Sequence, residues 1–313
     1  MTETDEYTVS FTAEEADAGK RADVLAAEKA QITRSAAANL LLKGAVTVNG
    51  AECRKNYKAA AGDIFTVELP EPQPCDAVPE NIPIDVAYED EDVIVVNKPQ
   101  GMVVHPAPGH ISGTLVSALL YHCGDSLSDI NGVIRPGIVH RIDRDTSGLI
   151  AAAKNNAAHL SLAAQLEDHS MARVYYAVVL GNLPERGTVD APIARHPSDR
   201  KKMAVAKEGG RRAVTHYETV EELGGFTLVR LKLETGRTHQ IRVHMAHIGH
   251  PVIFDPVYGR PSQFEKQHPG LMNGQCLHAG ELSFTHPSTG ERVTVKAPLP
   301  EYFEKTLNLL RSR

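Results

Sequence analysis

The sequence predicts an α+β fold: a small N-terminal α/β module, then a larger domain whose mixed, largely antiparallel central sheet is flanked by helices. Two observations predict it. Runs rich in β-branched residues, with the alternation of strands, recur after residue 86 and are interrupted by only a few helical patterns. A proline-rich stretch separates them from a shorter α/β segment. The 313 residues suffice for one large and one small domain.

The N-terminal module is expected to span residues 18–69, after an acidic tail of residues 1–17. Ser35 is the expected N-cap of its second helix, and Asn49-Gly50 has the composition of a type I′ hairpin turn. The predicted helices cover residues 21–29 and 35–42, and the predicted strands cover residues 46–48 and 64–69.

Five prolines between residues 70 and 85 predict a stiff, extended linker, because proline fixes the backbone and removes hydrogen-bond donors. Residues 86–313 are expected to form the second domain. Its predicted strands cover residues 93–96, 148–153, 173–180 and 226–233, and its predicted helices cover residues 156–168 and 238–248.

The net charge of −6 conceals a basic body. Residues 1–17 carry six acidic side chains, residues 68–92 carry nine, and neither segment contains Lys or Arg. The rest of the chain therefore has a net charge of +9, counted from the same sequence. Because affinity for nucleic acid depends on local Lys and Arg density, the basic body can still bind phosphates. A charge pattern that only aids solubility is the alternative.

Several protein classes are disfavoured. The four cysteines are far apart and include no Cys-x-x-Cys pair, which argues against a zinc ribbon and a disulfide framework. Glycine-rich loops that bind nucleotide phosphates are missing, which argues against a nucleotide-dependent enzyme. No apolar run has the length of a membrane span, and the acidic N-terminus lacks a signal-peptide core, so a cytoplasmic location is expected.

The most informative segment, residues 135–148, places two Asp, three Arg and one His between two apolar, strand-like runs. Residues 145–148 are turn formers, so we expect Asp143 on a loop that strands hold at both ends. Catalytic groups are common in such loops. An aspartate that only caps or forms a salt bridge is the plainer alternative.

A second polar segment, residues 234–244, is predicted to run from a strand through Gly236 into a helix that begins near Thr238. Arg237 and the free N–H groups of the helix start favour a carboxylate or a phosphate. His239 and Arg242 are three residues apart and share a helix face. A solvated basic helix end is the alternative.

Strand alternation places Tyr175 on the face of Arg173 and Ala177, opposite an apolar face that includes Tyr176. Tyr175 is therefore predicted to face a cleft, although a tyrosine that only covers a sheet is the commoner case. The histidines at positions 239, 244, 247 and 250 suggest a metal, but the zincin spacing with its glutamate is absent. We expect no metal site.

Four motifs occur in order along the chain. They are Asn97-Lys-Pro-Gln-Gly101, His140-Arg-Ile-Asp143-Arg-Asp-Thr-Ser-Gly148, Arg173-Val-Tyr175-Tyr-Ala-Val178 and Thr235-Gly-Arg237-Thr-His-Gln-Ile-Arg242-Val-His244. Together they resemble the RluA family of pseudouridine synthases. Residues 187–197 and 213–217 are most similar to the D type, which acts on large-subunit ribosomal RNA.

The first domain also has a resemblance. Residues 18–69 are similar to an S4 RNA-binding domain, through Arg21-x-Asp23, Thr33-Arg34-Ser35 and the run from Lys43 to Gly50. Three positions depart from the family patterns. Ile142 and Ala22 stand where Leu is usual, and Phe254 stands where Gly usually precedes Asp255.

The resemblance implies an RNA pseudouridine synthase, which breaks the N1–C1′ bond of a uridine, turns the uracil and joins C5 to C1′ without cofactor, ATP or metal. It implies that Asp143 is the essential carboxylate, Arg237 its basic partner and Tyr175 the side chain that packs on the target base. Arg141 is implied to help evert that base. The implied partner is RNA, 23S ribosomal RNA first of all, and we expect a monomer. The residues expected to contact RNA are Arg21, Arg34, Ser35, Lys43, Arg141, Arg195, Lys201, Lys202, Arg211, Arg212, His239, Gln240 and Arg242.

Two other functions stay open on the sequence alone. A non-catalytic RNA-binding protein would use the S4-like module and would still bind RNA after Asp143→Asn. A metal-dependent hydrolase would use the histidines and would contain stoichiometric zinc.

Overall fold

The computed structural model describes residues 8–30, 32–69, 77–106, 112–124, 126–130, 136–199, 202–206 and 208–313. The first domain is a four-stranded antiparallel sheet covered by two helices, with strand order β1-β4-β2-β3. Leu25, Leu41 and Phe65 belong to the core between helices and sheet. Its elements are β1 (Thr8–Thr12), a 3-10 turn (Glu15–Asp17), α1 (Ala22–Lys29), α2 (Arg34–Leu42), β2 (Val46–Val48), β3 (Ala51–Glu52) and β4 (Ile64–Glu68).

The tail boundary predicted at residue 17 is wrong, because β1 belongs to the first domain. Its residues pair with β4, from Thr8 opposite Glu68 to Thr12 opposite Ile64. Phe11 stacks on Phe65 with ring centroids 5.2 Å apart. Burial of this aromatic pair and the ladder of hydrogen bonds outweigh the acidic composition from which the tail was inferred.

Two local predictions in the first domain have different outcomes. The N-cap of α2 is Thr33 and not Ser35: the Thr33 hydroxyl accepts a hydrogen bond from the Ala36 N–H at 3.2 Å. Both residue types can cap, and Thr33 does so because it is the last residue in extended conformation. The turn is confirmed, because Asn49 and Gly50 have φ of 51° and 79°, the positive values that type I′ requires.

The second domain contains a nine-stranded sheet in the order β5-β6-β7-β14-β8-β13-β12-β9, with β15 paired to β14. Only β7 and β14 pair in parallel, so the prediction of a largely antiparallel α+β fold is confirmed. Within the described ranges, no helix is both long and apolar enough to span a bilayer. Its elements are β5 (Val86–Glu89), β6 (Val93–Lys98), α3 (Leu115–Cys123), β7 (Ser147–Ala153), α4 (Asn156–Glu167), β8 (Ala172–Leu180), β9 (Arg186–Asp190), β10 (Ile193–Arg195), β11 (Met203–Val205), β12 (Val214–Glu222), β13 (Phe226–Leu233), α5 (Gln240–His247), α6 (Gln263–Gln267), β14 (Leu277–Thr285), β15 (Arg292–Lys296) and α7 (Glu301–Arg311).

Strands β6 and β7 are buried on both faces, which explains why their sequences are almost continuously apolar. On one face Val95 and Leu149 pack in a core with Leu162 of α4. On the other face Ile94 and Ile150 pack in a core with α3. This rigid, two-sided support lies directly beside the polar loop that precedes β7.

The predicted linker ends earlier than residue 85. Ala77 is 5% exposed and belongs to the core against α3, which Ile84 also contacts. The Glu80 N–H donates to the Ser117 carbonyl oxygen at 3.0 Å, and a Glu80 carboxylate oxygen accepts from the Gly113 N–H at 2.9 Å. Residues 77–85 therefore belong to the second domain, because their apolar side chains complete its core. The remaining linker residues, 70–76, lie outside the described ranges.

Candidate active site

Asp143 lies on the loop that precedes β7. The loop turns at Asp143, whose carbonyl oxygen accepts from the Thr146 N–H at 3.1 Å, and β7 then starts at Ser147, one residue before the predicted start. On the other side, the described residues form a single bridge between Ile138 and Ala152 instead of the expected strand. The Asp143 side chain is 24% exposed, so its carboxylate reaches the cleft.

A completely buried lysine holds this loop against the end of β6. Lys98 is 0% exposed, and its Nζ donates to the carbonyl oxygens of Pro99, Met102 and Arg144, each at 2.9 Å. Burial lowers the pKa of Lys98 to about 7, while the charges of Asp145 and Asp143 oppose the shift. Only the ammonium form has three N–H donors, so the three acceptors also favour the charged state.

We expect Lys98→Met to lower the free energy of unfolding by about 2 kcal/mol, because buried carbonyl oxygens lose their donor. Methionine keeps the length and the apolar stem of the side chain. Denaturant unfolding at pH 7 measures the change. Lys296→Met is the matched surface control. The Lys296 side chain is 68% exposed, and its ion pair with Glu281 should contribute less than about 1 kcal/mol to the free energy of unfolding. Equal losses in both variants would contradict the prediction.

His140 fastens the loop to β7. Its Nε2 accepts a hydrogen bond from the Ala151 N–H at 3.0 Å. Burial, with a smaller effect from the charge of Arg173, lowers the pKa of His140 to about 3. The ring is therefore neutral, and its free lone pair serves the backbone and not proton transfer.

The guanidinium that pairs with Asp143 is Arg242, so the prediction of Arg237 as its partner is wrong. Arg242 Nη1 donates to Asp143 Oδ2 at 2.8 Å. On its other edge, Arg242 Nε and Nη2 donate to the two oxygens of Asp255 at 2.7 and 2.9 Å. Arg237 instead donates from Nε to the Arg212 carbonyl oxygen at 3.0 Å. Helix α5 begins two residues later than predicted, and its first turn directs Arg242 toward Asp143.

Asp255 orients the arginine that orients Asp143. It is 4% exposed and also accepts hydrogen bonds from the N–H groups of Val257 and Tyr258. Burial by itself would raise the pKa of Asp255, but the hydrogen bonds and charge of Arg242 outweigh it, and the pKa lies below the ordinary value. Phe254 before it has φ of 58°, the left-handed conformation that glycine adopts easily. The turn is thus kept although Phe replaces the usual Gly.

His239 lies on the other side of Asp143. It precedes α5 as the N-cap residue, so the prediction that it shares a helix face with Arg242 is wrong. Its Nε2 is 3.9 Å from Asp143 Oδ1, and its Nδ1 is 2.8 Å from the Tyr258 hydroxyl. Its backbone is left-handed, with φ of 56°. Burial lowers the pKa of His239, and the negative charge of Asp143 opposes that shift. A residue with a left-handed backbone, whose hydrogen-bonded ring lies beside a carboxylate, is typical of a functional site.

The cleft beside Asp143 encloses about 520 Å³, open solvent at its mouth included. Tyr175 lines it, as predicted, together with an apolar wall of Ile142, Leu233 and Leu277. Tyr175 is 7% exposed, and burial raises the pKa of its phenol. An aromatic ring, an apolar wall and one carboxylate can accommodate a planar base and react with its ribose or ring.

Of the residues predicted to contact RNA, three from the active-site segments have clear positions. Arg141 is exposed at the cleft, where its Nη2 donates to the Thr238 hydroxyl at 2.9 Å. Gln240 is 3% exposed, and its amide bonds to Thr235, Val214, Thr215 and the Arg237 N–H. Arg242 is 5% exposed and is held by two carboxylates. The prediction of an RNA contact is therefore wrong for Gln240 and Arg242, whose polar atoms are already bonded within the protein.

The other candidates lie on the surface. Arg21 and Arg34 are both paired with buried Asp23, and Arg34 also pairs with Glu167 at 2.9 Å. Lys201 is outside the described residues. Side chains that are exposed or half-buried, and so stay candidates, belong to Arg21, Arg34, Ser35, Lys43, Arg195, Lys202, Arg211, Arg212 and His239.

The histidines near α5 do not converge. His244 is buried between the Thr215 hydroxyl and the Ala191 carbonyl oxygen, at 2.9 Å from each. His250 Nδ1 lies 2.9 Å from the Leu180 carbonyl oxygen, on another part of the fold. Among the residues that the structure describes, no three His, Cys, Asp or Glu side chains form a group that could hold a metal.

Sequence reasoning missed the functions of Lys98 and Asp255. A lysine that ends an apolar run such as β6 must find partners when it is buried, and this was a usable signal. Asp255 attracted notice only through the unusual Phe254 before it. Tyr258, whose ring lies 5.1 Å from the Arg242 guanidinium carbon, carried no signal.

Residues 92–247 match a family described as RNA pseudouridylate synthase. The chain is also 50% identical over 305 residues to the uncharacterized RNA pseudouridine synthase YlyB of Bacillus subtilis (strain 168). The alignment covers 97% of this chain and 98% of that protein. The chain belongs to the RNA pseudouridine synthase family. The enzyme is thus an isomerase, and the matched residues include both Asp143 and Arg242.

Further comparisons agree with this membership. This pseudouridine synthase is 48% identical over 288 residues to ribosomal large subunit pseudouridine synthase D of Zymomonas mobilis, covering 90% of this chain and 90% of that protein. It is 44% identical over 301 residues to the protein of the same name in Pseudomonas aeruginosa, covering 94% of this chain and 92% of that protein. The solved structure of human RNA pseudouridylate synthase domain containing 1 is 25% identical, with a TM-score of 0.56 over 75% of this chain and 97% of that chain.

Proposed function

We propose that this RNA pseudouridine synthase isomerises uridines in large-subunit ribosomal RNA, with Asp143 as its catalytic carboxylate. The observation that carries the proposal is the ion pair of Asp143 with Arg242 at the wall of an open cleft. Two relatives aligned over at least 90% of this chain are named for the large ribosomal subunit, which supports the choice of RNA.

The geometry suggests which carboxylate oxygen reacts. Oδ2 of Asp143 is held by Arg242, whereas Oδ1 has no hydrogen-bond donor within the described residues. We assign Oδ1 to the reaction, as a nucleophile or as a base toward the nucleoside in the cleft. The N1–C1′ bond then breaks, the uracil turns, and its C5 bonds to C1′, displacing Asp143 where a C1′ ester has formed. C5 gives up its proton and N1 gains one, so the product is an isomer of the substrate.

A uridine inside folded RNA must leave its stack to reach this cleft, which costs a few kcal/mol. Arg141 is exposed at the cleft mouth, and its one hydrogen bond among the described residues is to Thr238. We propose that the Arg141 side chain occupies the space in the stack that the everted base leaves. Contacts between protein and phosphates offset the remaining cost.

Tyr175 is assigned to packing on the target base. Because burial raises the pKa of its phenol, the hydroxyl is protonated at neutral pH and is a poor base. We expect Tyr175→Phe to keep turnover within about tenfold of the wild type, since a lost general base would cost at least about 10²-fold. Tyr175→Leu removes the ring and should lower turnover by about 10²-fold. Single-turnover rates measure both, and a loss in Phe as large as in Leu would contradict the assignment.

The first domain is proposed as an S4-type RNA-binding module. Ser35 on α2 and Lys43 at the end of that helix are exposed, and both side chains suit contacts with a phosphate backbone. With the module linked to the catalytic domain, its affinity raises the effective concentration of RNA at the cleft. We further propose that the enzyme acts as a monomer in the cytoplasm, where ribosomal RNA is assembled.

The proposed function is tested with large-subunit ribosomal RNA labelled with tritium at C5 of uridine. Formation of pseudouridine releases the tritium to water, because C5 loses its hydrogen. We expect release from RNA of cells that lack this protein and none from RNA already modified by it. Sequencing after a pseudouridine-specific reagent then locates the uridines.

The non-catalytic alternative makes a different prediction. It expects the protein to bind the same RNA but to release no tritium from any ribosomal RNA. The absence of release, with retained binding, would refute the proposed function and favour that alternative.

A further inference from the structure

Arg173 is a buried guanidinium with no anionic partner in the described part of the chain. It is 7% exposed and lines the cleft from β8, two residues before Tyr175. Its Nε is buried without a hydrogen-bond partner among the described residues, and no described carboxylate forms an ion pair with it. Burying an unpaired charge costs several kcal/mol, so such a group indicates that a ligand supplies the missing anion.

The backbone of the loop before α5 is built around this guanidinium. A Cβ atom at Gly236 would lie 2.5 Å from Arg173 Nη1, so a larger residue there would force the guanidinium to move. The next residue, Arg237, also lines the cleft. Its Nε donates to the Arg212 carbonyl oxygen, and none of the described residues accepts a hydrogen bond from its two outer nitrogens.

The positive charge at this end of the cleft is not compensated by the nearby acids. Burial, followed by the charges of Arg211 and Arg173, lowers the pKa of Arg237. Asp143 is already paired with Arg242. Glu234, the acid next in sequence, is shared between Arg212 at 3.0 Å and His216 at 2.8 Å.

The chemistry selects a phosphodiester as the ligand. Two guanidinium groups with free N–H donors match the oxygens of one phosphate group, and they carry full charges. Uracil oxygens are neutral until the glycosidic bond breaks, so they need no such concentration of charge in the bound state. Because the site shares one cleft with Asp143, the phosphate must belong to the reacting nucleotide and not to a distant part of the RNA.

We propose that Arg173 and Arg237 bind the phosphodiester group that adjoins the everted uridine. This inference rests on the proposed function and names the substrate group that the site takes. Holding the phosphate places the ribose over Asp143, and the binding free energy helps to offset base eversion. Arg237 is thus a substrate-binding residue instead of a partner of Asp143.

The test is a double-mutant cycle between protein and RNA. The RNA is a synthetic stem-loop around a uridine identified by the tritium assay, with a neutral methylphosphonate at its 5′ phosphate, at its 3′ phosphate or three nucleotides away. Affinity is measured with Arg173→Met and Arg237→Met in an Asp143→Asn background, so that the target uridine is not converted during the measurement. Arg186→Met, on an exposed arginine of β9, is the matched control.

We expect each arginine variant to bind the unmodified RNA on the order of 10–100-fold more weakly, the loss typical of a hydrogen bond to a charged group. With the methylphosphonate at one flanking position, the same substitutions should cause little further loss. With the methylphosphonate at the distant position, and for Arg186→Met at every position, the affinity loss of the protein variant and that of the modified RNA should simply multiply. Multiplying losses at both flanking positions would overturn the proposal, with contact to the base as the remaining explanation.

Stability separates a binding role from a structural one. Because Arg173 has no ion pair to lose among the described residues, Arg173→Met should unfold at the wild-type temperature or above it. A lower melting temperature, with no coupling to either phosphate, would identify Arg173 as a structural residue and overturn the inference. Failure of the proposed function has a separate sign, namely absence of tritium release by the wild-type enzyme.

Discussion

Asp143→Asn is expected to reduce tritium release by about 10⁴-fold or more, because an amide is neither a nucleophile nor a base at neutral pH. The amide has the shape of the carboxylate, and its oxygen can still accept the 2.8 Å hydrogen bond from Arg242. The free energy of unfolding should therefore change by no more than about 1–2 kcal/mol, and RNA binding should persist. Single-turnover tritium release and denaturant unfolding measure the two effects.

The matched control is Asp129→Asn, on an exposed aspartate whose carboxylate accepts from the Asn156 side chain at 2.9 Å. It makes the same chemical change away from the cleft and should leave turnover at the wild-type rate. If Asp143→Asn kept a rate within tenfold of the wild type, Asp143 would be a structural residue and the proposed mechanism would be wrong.

Arg242→Met should lower the free energy of unfolding by about 3–5 kcal/mol, the cost of leaving a buried carboxylate without its partner. The arginine is 5% exposed and donates to both oxygens of Asp255 as well as to Asp143. Turnover should also be lost, because nothing then orients the Asp143 carboxylate. Arg242→Lys keeps the positive charge but loses the planar guanidinium that donates to both Asp143 and Asp255. Its stability should therefore lie between those of the wild type and Arg242→Met.

Two comparisons test the origin of that loss. Arg311→Met removes a surface pair with Glu221 whose arginine is 42% exposed, and it should cost less than about 1 kcal/mol. Arg242→Met combined with Asp255→Asn should be more stable than Arg242→Met alone, because the unpaired buried charge is gone. If the two losses simply added, charge burial would not be the cause.

The pH dependence has a defined sign. In the wild type the pKa of Asp255 is lowered below the ordinary 3.8, so its contribution to stability is complete above that value and is lost as the pH falls further. In Arg242→Met, the charge and hydrogen bonds of Arg242 no longer oppose the effect of burial, so the pKa of Asp255 rises. The stability deficit of the variant should therefore shrink as the pH falls from 7 toward 4, and urea unfolding across that range measures it.

Local patterns predicted most of the fold. The strand at residues 173–180 and the strand at residues 226–233 lie within one residue of the observed β8 and β13, because alternation and β-branched content are properties of neighbouring residues. Pairing is not such a property. Thus β1 was assigned to a tail, since Phe65, on which Phe11 stacks in the core, lies more than fifty residues away in the sequence.

The sequence by itself determined the chemistry available to this enzyme: a carboxylate at Asp143 on a polar loop, a tyrosine facing a cleft and guanidinium groups before and in α5. The tertiary structure alone decided which guanidinium serves which acid. Helix α5 begins at Gln240, and this start turns Arg242 into the cleft wall between Asp143 and Asp255 while Arg237 stays on the loop beside Arg173. Such assignments depend on the rotation of one helix relative to a distant loop, which short-range spacing does not encode.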